Sequence, residues 1–114
     1  MLGIAVLLTA FSAGADREIV HIRIWPAFSI EPADALVQVS VERDAENRLL
    51  TVTGDSGEFS WRSDRPLDGE SGPRTSAFRC RDLPAGEYEV TAQIFGRDGR
   101  ERAVARRHLR VLPR

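Results

Sequence analysis

The stretch Leu83-Pro84-Ala85-Gly86-Glu87-Tyr88-Glu89-Val90-Thr91-Ala92-Gln93-Ile94 decides the fold class. Its opening places Pro at the second and Gly at the fourth position of a tetrapeptide, the chemistry of a type I turn. Directly after it, Tyr88, Val90, Ala92 and Ile94 alternate with Glu87, Glu89, Thr91 and Gln93. Successive side chains of an extended chain point to opposite faces, so this segment predicts a half-buried strand with four apolar residues inward. Further on, Asp98-Gly99 predicts a tight hairpin. The run beyond it puts Ala103, Ala105, Leu109 and Val111 on one face and Arg106, His108 and Arg110 on the other.

Toward the N-terminus the same period of two recurs, broken by Gly, Pro and Asp clusters. Val20, Ile22 and Ile24 alternate with His21, Arg23 and Trp25; Pro26 ends or bends this strand, and Phe28 and Ile30 extend it. Val37, Val39 and Val41 form a second strand with β-branched residues inward. After a turn at Asp44-Ala45-Glu46-Asn47, Leu50 and Val52 mark a third strand ending at Gly54. Phe59 and Trp61 mark a fourth after the Asp55-Ser56-Gly57 turn, and Phe78 and Cys80 a fifth. The Pro- and Gly-rich segment from Asp64 to Arg74 reads as an irregular surface crossover between sheets. Between Phe28 and Leu36 two readings stay open: a switch between sheets, or one helical turn at Pro32-Ala33-Asp34-Ala35. With no amphipathic helix, the pattern predicts an all-β, antiparallel sandwich of about seven strands.

The segment Leu83-Pro84-Ala85-Gly86-Glu87-Tyr88-Glu89-Val90 resembles a turn and strand common in bacterial exported immunoglobulin-like, fibronectin-type-III-like and carboxypeptidase-regulatory-like domains. The resemblance is carried by the last third of the chain. It implies an immunoglobulin-like or fibronectin-type-III-like sandwich in which Tyr88 packs near a corner between the sheets with its hydroxyl tied to backbone. Such a likeness identifies a fold and not an activity. The inter-sheet disulfide of antibody domains is excluded, because the chain holds a single Cys.

The chain starts with an apolar run, Leu2 to Phe11, followed by Ser12-Ala13-Gly14-Ala15 and the charged Asp16-Arg17-Glu18. This fits the apolar core and small-residue cleavage site of a secretory signal, although no Lys or Arg precedes the run. Residues 1–15 are therefore expected to be a signal peptide and 16–114 a single sandwich domain, periplasmic or secreted. The run is too short to span a bilayer, which takes about 20 apolar residues. Sixteen basic residues, all Arg, stand against seventeen acidic ones, and this balance removes any bulk electrostatic argument for nucleic-acid binding.

Several side chains invite a chemical reading. Cys80 shares a face with Phe78 and reads as a small core residue. His21 and His108 would make a metal site only if their strands met and further ligands joined them, and no metal is expected. Asp64, Asp68 and Glu70 supply oxygens for calcium, but without the spacing of an EF-hand, and read first as a solvated acidic loop. Gly54-Asp55-Ser56-Gly57 resembles the nucleophile motif of chymotrypsin-like serine proteases, but Glu58 replaces the final Gly and the chain is about half the length those enzymes need. Turn chemistry accounts for those four residues. Seven Arg against Asp98 and Glu101 in the last eighteen residues make a positive stripe along Arg106, His108 and Arg110, which Glu87 and Glu89 could neutralise across the hairpin. Trp61 is expected in the core and Trp25 outside it. The resulting expectation is a non-catalytic exported module without cofactor, binding an envelope protein. The alternative is a carbohydrate- or polyanion-binding module using Trp25, Trp61, Arg106, His108 and Arg110.

Overall fold

Eight strands form over the described residues, 19–114, of the computed structural model: β1 (Val20–Trp25), β2 (Phe28–Ile30), β3 (Ala33–Val41), β4 (Asn47–Asp55), β5 (Ser60–Pro66), β6 (Thr75–Leu83), β7 (Gly86–Gly96) and β8 (Glu101–Leu112). The expected signal peptide, 1–15, lies outside the described residues. A three-stranded sheet in the order β1-β3-β6 packs on a five-stranded sheet in the order β2-β8-β7-β4-β5. The all-β sandwich expected from the alternation is the observed architecture, with eight strands in place of about seven.

The additional strand is β2. Phe28 and Ile30 do not extend β1; after Pro26 the chain leaves the three-stranded sheet and runs parallel to β8, Phe28 opposite Arg110 and Ile30 opposite Leu112. This is the one parallel pairing among the described strands. Alternation fixes a face but says nothing about which sheet a strand joins. Of the two readings left open for Phe28 to Leu36, the sheet switch holds. No helical turn forms at Pro32 to Ala35, because Ala33 already opens β3 and alternates inward with Ala35, Val37, Val39 and Val41. The segment beginning at Asp64 is also more regular than expected: β5 persists to Pro66, and a single 3-10 turn covers Gly69–Ser71.

The core lies between the sheets and is built mainly from the positions the period of two marks. Val37, Val39, Leu50, Val52, Tyr88, Val90, Ala92 and Ile94 are all fully buried. The hairpin at Asp98-Gly99 forms as expected, with Gly99 at φ +83, a left-handed conformation glycine adopts without a Cβ clash. β8 departs from its simple alternation at one position. Leu109 and Val111 are buried and Ala103 and Ala105 pack against the core, whereas Arg107, on the same face, escapes to the rim of the sandwich beside Arg23, Gln38 and Ser40.

Candidate interaction surface

Tyr88 anchors one corner of the sandwich. The Leu83–Gly86 turn joins β6 to β7, and from the start of β7 the buried Tyr88 hydroxyl donates to the Pro84 carbonyl oxygen at 2.7 Å. Burial lifts its phenol above the usual range. Two further rings lean on it: Phe59 edge-on at 6.4 Å between centroids and Trp61 tilted at 5.7 Å. Trp61 packs against the core from the inner face of β5, and its ring lies on Gly54, where any Cβ would penetrate it. The indole nitrogen Nε1 is buried without a hydrogen-bond partner.

Trp25 occupies a different part of the molecule. It ends β1 on the outer face of the three-stranded sheet, beside Leu36 of β3, and is 77% exposed. The two tryptophans therefore do not share a flat patch: Trp25 is outside one sheet, and Trp61 is inside the other. Beyond Trp25 the chain crosses to β2, where Phe28 and Ile30 are each 57% exposed. Three of the four exposed large hydrophobics of the described residues thus fall within six positions; the fourth is Phe59. The crossover is firmly held. The Arg110 backbone N–H donates to the Ala27 carbonyl at 2.9 Å, and the Glu31 carboxylate accepts from the Ala85 N–H at 2.9 Å and the Arg114 N–H at 3.2 Å. Those backbone donors hold the Glu31 carboxyl below its ordinary value.

The basic stripe on β8 is present and partly neutralised. Arg106, His108 and Arg110 all lie exposed on the outer face of the five-stranded sheet. Arg110 meets Glu87 at 2.6 Å, and His108 stands opposite Glu89 in the register. Arg97, Arg100 and Arg102 have carboxylate partners in Glu46, Asp98 and Asp44.

The remaining candidates are dispersed. β1 packs across the sandwich from β8, so His21 and His108 sit on opposite outer faces. Cys80 is buried on the inner face of β6, and burial pushes its thiol up. The Asp64 carboxylate is occupied by Arg62 and by the Thr51 hydroxyl at 2.9 Å, and those bonds hold it below its usual range. Among the described residues no three His, Cys, Asp or Glu gather where a metal ion would sit. The Ser56 hydroxyl bonds to the Phe59 backbone on both its N–H and carbonyl sides, closing the turn between β4 and β5.

Sequence reasoning missed a cleft of about 400 Å³ on the flank where β5 and β6 form the free edges of the two sheets. Its lining includes Trp61, Ser63, Arg65, Phe78, Arg79 and Arg81, and no Asp or Glu. The Arg65 guanidinium lies 4.4 Å from the centre of the Phe78 ring, a cation-π contact. The only signal in the sequence was the pairing of Arg79 and Arg81 on one face of β6.

No protein-family model and no curated protein matches the chain. Among solved structures, it is similar to a superoxide reductase (neelaredoxin) from Ignicoccus hospitalis, with a TM-score of 0.62 and 12% identity, covering 89% of this chain and 86% of that one. It is also similar to part of a family 76 glycoside hydrolase from a bovine Bacteroides thetaiotaomicron strain, with a TM-score of 0.58 and 14% identity, over 84% of this chain and 21% of that one. At such identities the likeness establishes a shared β-sandwich fold.

Proposed function

We propose that the chain is a small exported, non-catalytic immunoglobulin-like module that binds another protein of the cell envelope. The observation that carries this reading is the crossover Trp25 to Ile30. Exposed apolar residues scattered singly are ordinary on a protein surface, but here three large ones fall within six positions of one crossover, Trp25 on the three-stranded sheet and Phe28 and Ile30 on β2 of the five-stranded one, so a partner gripping this flank would cover all three. Trp is also, with Tyr and Arg, enriched among the residues that dominate binding energy. The signal-like composition of residues 1–15 supports export.

At 12% identity the reductase likeness is one of fold alone. The glycan alternative has no paired aromatic platform, because Trp61 is engaged with Tyr88 and Gly54. The test replaces Trp25 with a photo-crosslinking residue, and Thr53, in the middle of the five-stranded sheet, as a control. In a cell-envelope extract the Trp25 site should capture one protein in stoichiometric yield, and Phe28→Ser should abolish the capture. Equal capture from both sites, or recovery of glycan alone, sinks the reading.

A further inference from the structure

The cleft between β5 and β6 carries a second inference, independent of the crossover. The three-stranded sheet stops at β6, while the five-stranded sheet continues to β5. The inner face of β5, Trp61, Ser63 and Arg65, consequently overhangs. Apart from the three-residue β2, β5 is the only described strand without one buried residue. Beside this shelf runs the free edge of β6, whose register with β3 is unbroken from Thr75 to Cys80 and leaves backbone donors and acceptors facing outward.

The geometry points to strand addition: β6 accepts an extended acidic segment of a partner protein as a fourth strand of the small sheet, with the β5 shelf as its floor. The alternation of a strand dictates the composition of the guest. Its inward side chains would follow Phe78 and Cys80 and pack on Trp61 and Ser63, so they are apolar. Its outward side chains would stand beside Arg79 and Arg81, which have no carboxylate within ion-pair distance among the described residues, so they are acidic. Arg65 adds a third positive charge at the shelf. The same three arginines argue against a second copy of this chain, because two β6 edges paired about a two-fold axis would bring like charges together.

The probe is a nine-residue peptide of alternating Val and Glu, the length of β6. Binding is followed by calorimetry and by Trp61 emission in the Trp25→Phe protein, so that only the cleft reports. The alternating peptide should bind saturably and change the emission. Arg79→Glu with Arg81→Glu should weaken it by about tenfold or more and admit a Val–Lys peptide instead. Should the double reversal fail to fold, Arg79→Gln with Arg81→Gln gives the same loss without the swap. Three results would each overturn the inference: no saturable binding, equal binding of a peptide with its Val and Glu in separate blocks, or equal binding after N-methylation of its backbone. Trp25→Ser leaves this binding intact, so its outcome is separate from that of the crossover experiment.

Discussion

The two flanks of the sandwich are closed to different degrees. On one, the chain itself crosses from β1 to β2, so covalent continuity and the Ala27, Glu31 and Arg110 hydrogen bonds join the two sheets. Three large apolar side chains remain outside that seam. On the other, the chain crosses from β5 to β6 through the longer connection of residues 67–74; alongside it β5 overhangs β6, the aromatic rings lean inward on Tyr88, and the rim is lined with arginine. The short crossing at residues 26–27 brings the two sheet edges together there and leaves Trp25, Phe28 and Ile30 exposed. The longer connection of the open flank leaves β5 and β6 unpaired with each other, and the space between them is lined by side chains that must satisfy packing first.

Tyr88 belongs to both flanks, and its removal should have the largest effect. Tyr88→Ala takes a fully buried ring from between Phe59 and Trp61 and frees the Pro84 carbonyl, at a cost of about 3–5 kcal/mol, the range for deleting large buried aromatics. Urea unfolding followed by circular dichroism reads it. Next comes Gly54→Val, which forces the Trp61 ring off its seat while leaving the crossover untouched, for about 1–3 kcal/mol of overpacking. Its signature is a red-shifted Trp61 emission in the still folded protein. An unchanged spectrum would show that Trp61 does not depend on Gly54, and the account of the open flank would fail. Tyr88→Phe keeps the ring contacts and removes only the hydroxyl bond, so about 1 kcal/mol should be lost with the emission unaltered.

The better-held interior was the easier part to read. The face of Tyr88, Val90, Ala92 and Ile94 follows from alternation, since burying one side of a strand is what selects the pattern. Even the Tyr88 hydroxyl bond was anticipated from the turn motif. The strand β2 was hidden because three residues are too few to establish a period, and its pairing with β8 is set by a partner about eighty positions away. β5 was partly hidden for another reason: its half-exposed inner face, Trp61, Ser63 and Arg65, lacks the apolar alternation of a covered strand. The crossover surface was legible one residue at a time, with Trp25 marked as outward. The cleft was not, because reading residues 64–74 as a crossover does not say that the two strands it joins are the free edges of their sheets.

The smallest expected effect tests how the two flanks communicate. Glu31 follows β2, yet its carboxylate bonds to the Ala85 N–H of the turn that Tyr88 closes and to the Arg114 N–H at the end of the chain. Both donors favour the charged form, so the fold holds this carboxyl below the ordinary glutamate value of about 4.5. A group whose acidity is strengthened by folding contributes stability above its unfolded value and loses that contribution as falling pH protonates it in the native state. Glu31→Gln should therefore lower the melting temperature at neutral pH, and the gap from the parent should close as the pH falls below about 4.5. Calorimetric melts across that range measure it. The residue is exposed to solvent, so the gap should be modest. A gap that persists unchanged into acid would mean that Glu31 acts through its shape rather than its charge, and the electrostatic tie from the seam to the Tyr88 corner would have to be given up.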